Sequence, residues 1–204
     1  MSLIEELKRV LGDQNVLTGT DKERYSSDWL GQYRFEPLCV VRPASTEEVS
    51  KVVRLAGSFD VNIVPVGGNT GLNGGTHSDN AISISMERMN KICEIRLNSK
   101  IAIVEAGLIL ANLHQIVNEN DLMFPLTFGA RGSATIGGVL STNAGGSNVL
   151  KYGNTRDLVL GVEIVLPNGE IMNLMSELHK DNSGYCLRDL VIGAEGTLGI
   201  ITKA

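Results

Sequence analysis

Three short stretches of this chain carry the kind of backbone that holds anions: PVGGNTGLNGG at 65–75, SATIGGVLSTNAGG at 133–146 and GAEGTLG at 193–199. Glycine loses more backbone entropy on folding than any other residue, so such density is expected where the chain turns through positive φ or where something must approach closely. Twelve of the 23 glycines fall within residues 67–75, 137–146 and 193–199, far more than random scatter would place there. Loops of this type aim main-chain N–H groups at anionic oxygens with no Cβ in the way. The Ser133 and Thr135 hydroxyls add side-chain donors. A helix starting near Ile136 would also point its free first-turn N–H groups at a diphosphate. Neither G-x-G-x-x-G nor G-x-x-x-x-G-K-[ST] occurs, so the expected guest is a dinucleotide held on something other than a Rossmann or Walker frame.

Other reactive residue types form no constellation. His77, His114 and His179 are widely spaced, with no HExxH, and give no metal site and no general base. Ser133, Ser141 and Ser147 lack the G-x-S-x-G elbow of a serine hydrolase. Cys39, Cys93 and Cys186 are odd in number and unpaired by spacing, which suggests neither a disulfide framework nor zinc and points to a reducing cytoplasm. Arg156 and Asp157 are expected to pair structurally at a strand start, and Trp29 and Tyr33 to pack in the core or between lobes.

Apolar periodicity supplies the elements that must position these loops. Residues 2–12 predict a helix, with a Ser2–Glu5 capping box, an apolar face of Leu3, Leu7, Val10 and Leu11, and a Gly12 stop. From Cys39 the chain reads strand, turn and helix, with Ser45 and Glu48 as cap residues and Val49, Val52, Val53 and Ala56 on one face. The strand VNIVPV then runs straight into the first glycine loop, and AISISM alternates as a half-buried strand. KICEIR and IAIVEAG predict two more strands, and Leu108–Asn118 a helix burying Leu110, Leu113 and Val117. Pro167-Asn168-Gly169 joins LVLGVEIVL to EIMNL, where Asn-Gly supports the positive φ values of a tight hairpin turn. A short helix near Leu187–Ile192 and a strand ending at Lys203 close the chain, and the class is α+β with parallel and antiparallel strands.

At 204 residues, 43% hydrophobic and 20% charged, the chain can bury a sizeable core. A net charge of −5 disfavours nonspecific binding to nucleic acid or to an anionic membrane. The N-terminus carries acids where a signal peptide needs an apolar core, and the long uncharged runs are too rich in Gly, Asn, Ser and Thr to span a bilayer.

Taken in order, PVGGNTGLNGG, SATIGGVLSTNAGG, YGNTRDLVLGVEIVLPNGE, KDNSGY and IGAEGTLGIIT closely resemble the FAD-binding domain of the vanillyl-alcohol oxidase and p-cresol methylhydroxylase superfamily. FPLTFGARGSATIGG looks most like the D-2-hydroxyacid dehydrogenases within it, a group that includes the glycolate oxidase flavin subunit and the D-lactate and D-2-hydroxyglutarate dehydrogenases. The resemblance covers about residues 36–204. It implies an N-terminal helix and lead-in over 1–35, then a two-lobed FAD-binding domain: a small β-α-β lobe over about 36–95, and a mixed, largely antiparallel sheet flanked by helices over about 96–204.

By motif position, the resemblance places Pro65, Val66, Gly67, Gly68, Asn69, Thr70, Gly71 and Leu72 around the diphosphate. Ser133, Thr135, Ile136, Gly137, Gly138, Thr142, Asn143 and Gly146 would line the diphosphate and flavin channel. Pro125 would lie near the ring system, and Glu195, Gly196, Gly199, Ile200 and Ile201 would border the adenosine half. Some superfamily members tether FAD through a histidine where this chain has Asn69, so noncovalent FAD is implied, with His77 a solvent-facing turn residue.

The implied reaction is oxidation of a D-2-hydroxy acid (D-2-hydroxyglutarate, D-lactate or glycolate) to the 2-oxo acid by hydride transfer to flavin N5. In the resembling enzymes the substrate arginine, the metal site and the base belong to a cap domain that follows. This chain stops about where that cap would start, so no catalytic residue is assigned here. The substrate would be met through that missing cap, and the electron acceptor and oligomeric state are left open. Peripheral membrane association of a full-length enzyme also stays open. The alternative is a stand-alone FAD-binding module without turnover of its own.

Overall fold

The computed structural model describes residues 2–204 and is an α+β fold. Its first layer is a four-stranded sheet in the order β1 (Val16–Leu17), β2 (Cys39–Val41), β4 (Ile82–Ser85), β3 (Ile63–Val66). β2, β4 and β3 run parallel, and β1 pairs antiparallel with β2. Helix α1 (Leu3–Leu11) packs on α2 (Thr46–Ser58), which connects β2 to β3. The residues ahead of 36 are therefore woven into this layer.

Local signals explain both helices. Ser2 accepts from the Glu5 N–H and Glu5 answers to the Ser2 N–H, a complete capping box, while Ser45 accepts from the Glu48 N–H at the head of α2. Leu7, wholly buried, joins Val49, Val52, Ile82 and Ile84 in one core. Truncating Leu7 to Ala should cost about 3 kcal/mol, the middle of the range for cavity-forming changes. Urea unfolding would read this as a lower midpoint with an unchanged slope.

One expectation changes here. AISISM reads as a strand with one solvated face, yet all four residues of β4 are buried. Ile82 and Ile84 face the main core, while Ser83 and Ser85 lie beside Val40 and Val66, which pack with Tyr25 in a second buried cluster, so both faces of β4 are covered. The Ser83 hydroxyl is satisfied by donating to Ser78 Oγ at 2.9 Å.

The second layer is antiparallel. β5 (Ile92–Arg96) pairs with β6 (Ile101–Val104), and β8 (Ile171–Asn173), β7 (Glu163–Val165) and β9 (Ile200–Lys203) form a separate ladder. The two pieces join edge to edge. Val104 and Ala204 exchange both of their backbone hydrogen bonds, at 2.9 and 3.0 Å, and the Ala106 N–H donates to the Thr202 carbonyl at 2.9 Å. In the β7–β8 hairpin only Gly169 of the Asn-Gly pair takes positive φ, 81°, and its N–H donates to the Leu166 carbonyl at 2.8 Å, so the turn runs over Leu166–Gly169. Helices α3 (Leu110–Asn118), α4 (Ile136–Ser141), α5 (Val149–Tyr152), α6 (Thr155–Leu158) and α7 (Leu187–Val191) complete this half.

α2 seals the two layers together. Its Thr46 hydroxyl donates to Glu163 Oε1 at 2.6 Å, and the Ser50 hydroxyl (2.5 Å) and Arg54 guanidinium (3.3 Å) both reach the Gly169 carbonyl.

Candidate functional site

The parallel strands β3 and β4 end side by side at Val66 and Ser85, and ligands of such sheets bind outside the carboxyl ends of the strands. A cleft of about 350 Å³ opens there. All three glycine bends reach it: the first from the end of β3, the second through Thr135 and α4, the third through Glu195 and Gly199 leading into β9. Each bend turns on one non-glycine residue with left-handed backbone, Asn69 at φ 50°, Asn143 at φ 45° and Glu195 at φ 51°. Such backbone is uncommon outside glycine and persists where surrounding contacts hold it.

The donors of the cleft lie in the first bend. The N–H groups of Gly67, Gly68, Asn69, Thr70 and Gly71 find no acceptor among the described residues, which leaves a consecutive run of main-chain donors on the cleft wall. The helix start expected to share this task does not. In α4 the Ile136 N–H donates to the Leu108 carbonyl at 2.8 Å, the Gly137 N–H to the Ala106 carbonyl at 2.7 Å, and the Gly138 N–H to Thr135 Oγ1 at 3.3 Å. Those first-turn groups are consumed by the strand end that follows β6 and by the helix's own cap.

Fifteen of the expected cofactor residues line the cleft: 65–71 entire, with Thr135, Gly137, Gly138, Thr142, Glu195, Gly199, Ile200 and Ile201. Seven do not, each for a visible reason. Leu72 is half exposed beyond the rim. The Pro125 carbonyl accepts from Asn148 Nδ2 at 2.9 Å. Ser133 turns its carbonyl onto Gly68, and Gly146 lies against the Thr127 backbone. Ile136 is buried in the core. Asn143 Oδ1 accepts from the Arg156 N–H at 2.9 Å, which staples the second bend to α6. Gly196 abuts the Pro65 ring. Met86, Ala106, Phe128 and Ala134 line the cleft unexpectedly. The strand-end position of Met86 could have indicated it, whereas Phe128 carried no signal.

Electrostatics agree with amide binding. No Lys, Arg or His lines the cleft, and Glu195 is its one acidic lining residue. An anionic group there would be held by uncharged donors, main-chain N–H groups and hydroxyls such as Thr135, with apolar contact from Met86, Phe128, Ile200 and Ile201. A larger cavity of about 820 Å³ borders another face of α4, lined by Leu113, Val117, Ile136 and Leu140. It takes in Arg96, Lys100 and His179 but none of the glycines of the three bends and none of the unpaired amides of 67–71.

Other expected residues take structural places. His77 is half exposed, bonded to Asp79 at 3.0 Å and tilted against Phe35. Arg156 and Asp157 are not paired with each other: the Arg156 guanidinium donates to the Ile192 carbonyl at 2.5 Å, while Asp157 accepts from the Asn154 N–H at 2.8 Å to cap α6. Trp29, 58% exposed, is not a core residue. The Cys39 thiol is buried, and burial pushes its pKa up to about 11.

Comparison with known proteins agrees with this geometry. The family model described as "FAD binding domain" matches residues 37–175. A D-2-hydroxyglutarate dehydrogenase of Xanthomonas citri pv. viticola is 44% identical over 185 residues, which is 90% of this chain and 39% of that protein. The enzyme of that name from Stutzerimonas stutzeri is 38% identical, with 100% of this chain and 44% of that protein covered. Among solved structures, an alkyldihydroxyacetonephosphate synthase superposes with a TM-score of 0.87 at 26% identity, over 99% of this chain and 39% of its own. The chain thus spans about two fifths of the length of these relatives. Unpaired amides at the ends of parallel strands, joined there by two further glycine bends, accord with the family match, and the chain belongs to the FAD-binding domain family.

Proposed function

We propose that this chain is the cofactor-holding part of a flavin-dependent dehydrogenase that oxidises a D-2-hydroxy acid to its 2-oxo acid. The observation that carries the reading is the convergence of three sequence-distant bends on one cleft, with five consecutive unpaired amides on its wall. The names of the relatives bring D-2-hydroxyglutarate forward over D-lactate and glycolate. When bound, FAD supplies the two-electron acceptor for the C–H bond beside the carboxylate.

The residues present fit that cofactor. Gly67 to Gly71 would donate to the diphosphate oxygens, Ile200 and Ile201 would give apolar contact toward the adenosine half, and Glu195 would accept from a hydroxyl there. Thr135 would contribute its hydroxyl from the facing wall. The cleft is at the small end of ligand sites and encloses only part of a dinucleotide, so the ring system would extend past the rim. Asn69 cannot form the covalent tether that histidine can, and its side chain is already committed to two protein hydrogen bonds. FAD would be held noncovalently. None of these residues is assigned the base or the substrate contact.

Cytoplasmic placement rests on the three free cysteines; relatives from rice and Arabidopsis carry mitochondrial names. Among the described residues no helix is long and apolar enough to cross a membrane.

Titrating the purified chain with FAD tests the reading. The expected results are a perturbed flavin absorption band, a raised melting midpoint that depends on FAD concentration, and release of all yellow colour on denaturation. An unshifted spectrum and midpoint at high FAD would refute cofactor binding, and colour that stays with the denatured chain would refute the noncovalent mode.

A further inference from the structure

A loop whose amide donors are free to bind a guest has, for the same reason, no main-chain hydrogen bonds of its own to hold it in shape. Residues 67–71 are in that position, and three of the five, Gly67, Gly68 and Gly71, are glycines around a left-handed Asn69. Two contacts supply what the backbone does not. Asn69 Nδ2 donates to the Ser27 carbonyl at 2.7 Å, and the Thr76 hydroxyl donates to Asn69 Oδ1 at 2.7 Å, closing the loop across seven residues. Ser27 is itself fixed, because it starts a tight turn in which Ser27 bridges Arg34, the Asp28 N–H donates to the Tyr33 carbonyl at 3.1 Å and Asp28 Oδ1 accepts from the Tyr33 N–H at 2.9 Å. The same turn touches the loop again where the Tyr33 ring covers Gly74.

We propose that Asn69 is the positioning residue of the first glycine bend, and that the 27–34 turn is the brace through which it holds the amides of 67–71 ready for a diphosphate. This rests on the FAD reading above. Ordering a flexible loop costs backbone entropy, so a loop ordered before binding returns that cost as affinity. Substitutions that remove the clamp should weaken FAD binding while leaving the core of the fold intact.

The experiment combines FAD titration, apo-protein melting and ¹⁵N relaxation of amides 67–72. Asn69→Gly keeps the left-handed backbone and deletes both hydrogen bonds. Thr76→Val deletes one donor at constant shape, and Thr76→Ser retains it. Expected are a loss of FAD affinity of about tenfold for Asn69→Gly, about threefold for Thr76→Val and none for Thr76→Ser. The Asn69→Gly, Thr76→Val double variant should bind no more weakly than Asn69→Gly alone, because both changes break one relay. Apo midpoints should stay near the parent's, while order parameters of 67–72 fall from rigid values toward about 0.6 in the weakened variants. Wild-type affinity in both Asn69→Gly and Thr76→Val, or weakened affinity with unchanged loop order, overturns the proposal. If the parent chain fails to bind FAD, the cofactor reading falls, and the relaxation arm still decides whether the clamp orders the loop.

Discussion

Gly68→Ala should lower the melting midpoint by about 10 °C and abolish measurable FAD binding. A Cβ on residue 68 would sink into the Ser133 carbonyl oxygen, 2.7 Å from that carbonyl's carbon and 3.1 Å from Ala134 Cα. All three are backbone atoms, so no rotamer change relieves the overlap and the two bends must part. Overpacking of this kind costs about 3 kcal/mol, and in a domain of this size each kcal/mol moves the midpoint by roughly 2–4 °C. Gly71→Ala is the informative partner, because a Cβ there meets nothing within 4 Å. It should melt like the parent chain yet bind FAD about tenfold more weakly, since the added methyl occupies space at the cleft wall. Differential scanning fluorimetry with and without FAD separates the two. A Gly68→Ala variant with the parent's midpoint would mean that the first and second bends do not touch.

That contrast also marks how far the sequence could be read. Glycine density pointed to three special bends, and all three reach the cleft. Density could not tell a glycine that lets two chain segments touch, as Gly68 does with Ser133, from one that leaves room for a guest, as Gly71 does. The partner segments are more than sixty residues apart in sequence and meet only in three dimensions. The helix start near Ile136 misled for a related reason. Its free donors are a local rule, but the carbonyls of Ala106 and Leu108 that consume them come from a distant strand end. Caps and turns, which depend on residues within four positions, were legible: the Ser2–Glu5 and Ser45–Glu48 caps form, and the hairpin turns at Asn168-Gly169, with positive φ at Gly169 alone. Burial on the second face of β4 was not, because alternation such as ISIS looks alike whether the serines meet water or a neighbouring element.

Glu163→Ala should cost about 3 kcal/mol at neutral pH and loosen the cleft as well. Glu163 lies where α2 meets the second layer, with its side chain 12% exposed, and Oε1 gathers the Thr46 hydroxyl at 2.6 Å, the Thr202 hydroxyl at 2.8 Å and Lys203 Nζ at 3.0 Å. Removing it leaves the buried Thr46 hydroxyl without this acceptor, and orphaning buried partners is what makes such a change expensive. Burial alone would raise the carboxyl's pKa, but donation from Thr46, Lys203 and Thr202 outweighs it and holds the group below its ordinary value of 4.5. A carboxyl depressed on folding adds stability that is fully present above the unfolded-state value and is lost as pH falls through the folded one. The parent chain should therefore lose stability more steeply below about pH 4.5 than Glu163→Gln does, whose amide keeps the shape and does not titrate. Urea midpoints from pH 7 down to pH 3 give the comparison, and parallel acid limbs would show that the Glu163 cluster carries no such load. α2 leads into β3, which carries the first bend, and β7 pairs with β9, which follows the third, so FAD affinity should fall with the seal, in Glu163→Ala more than in Glu163→Gln.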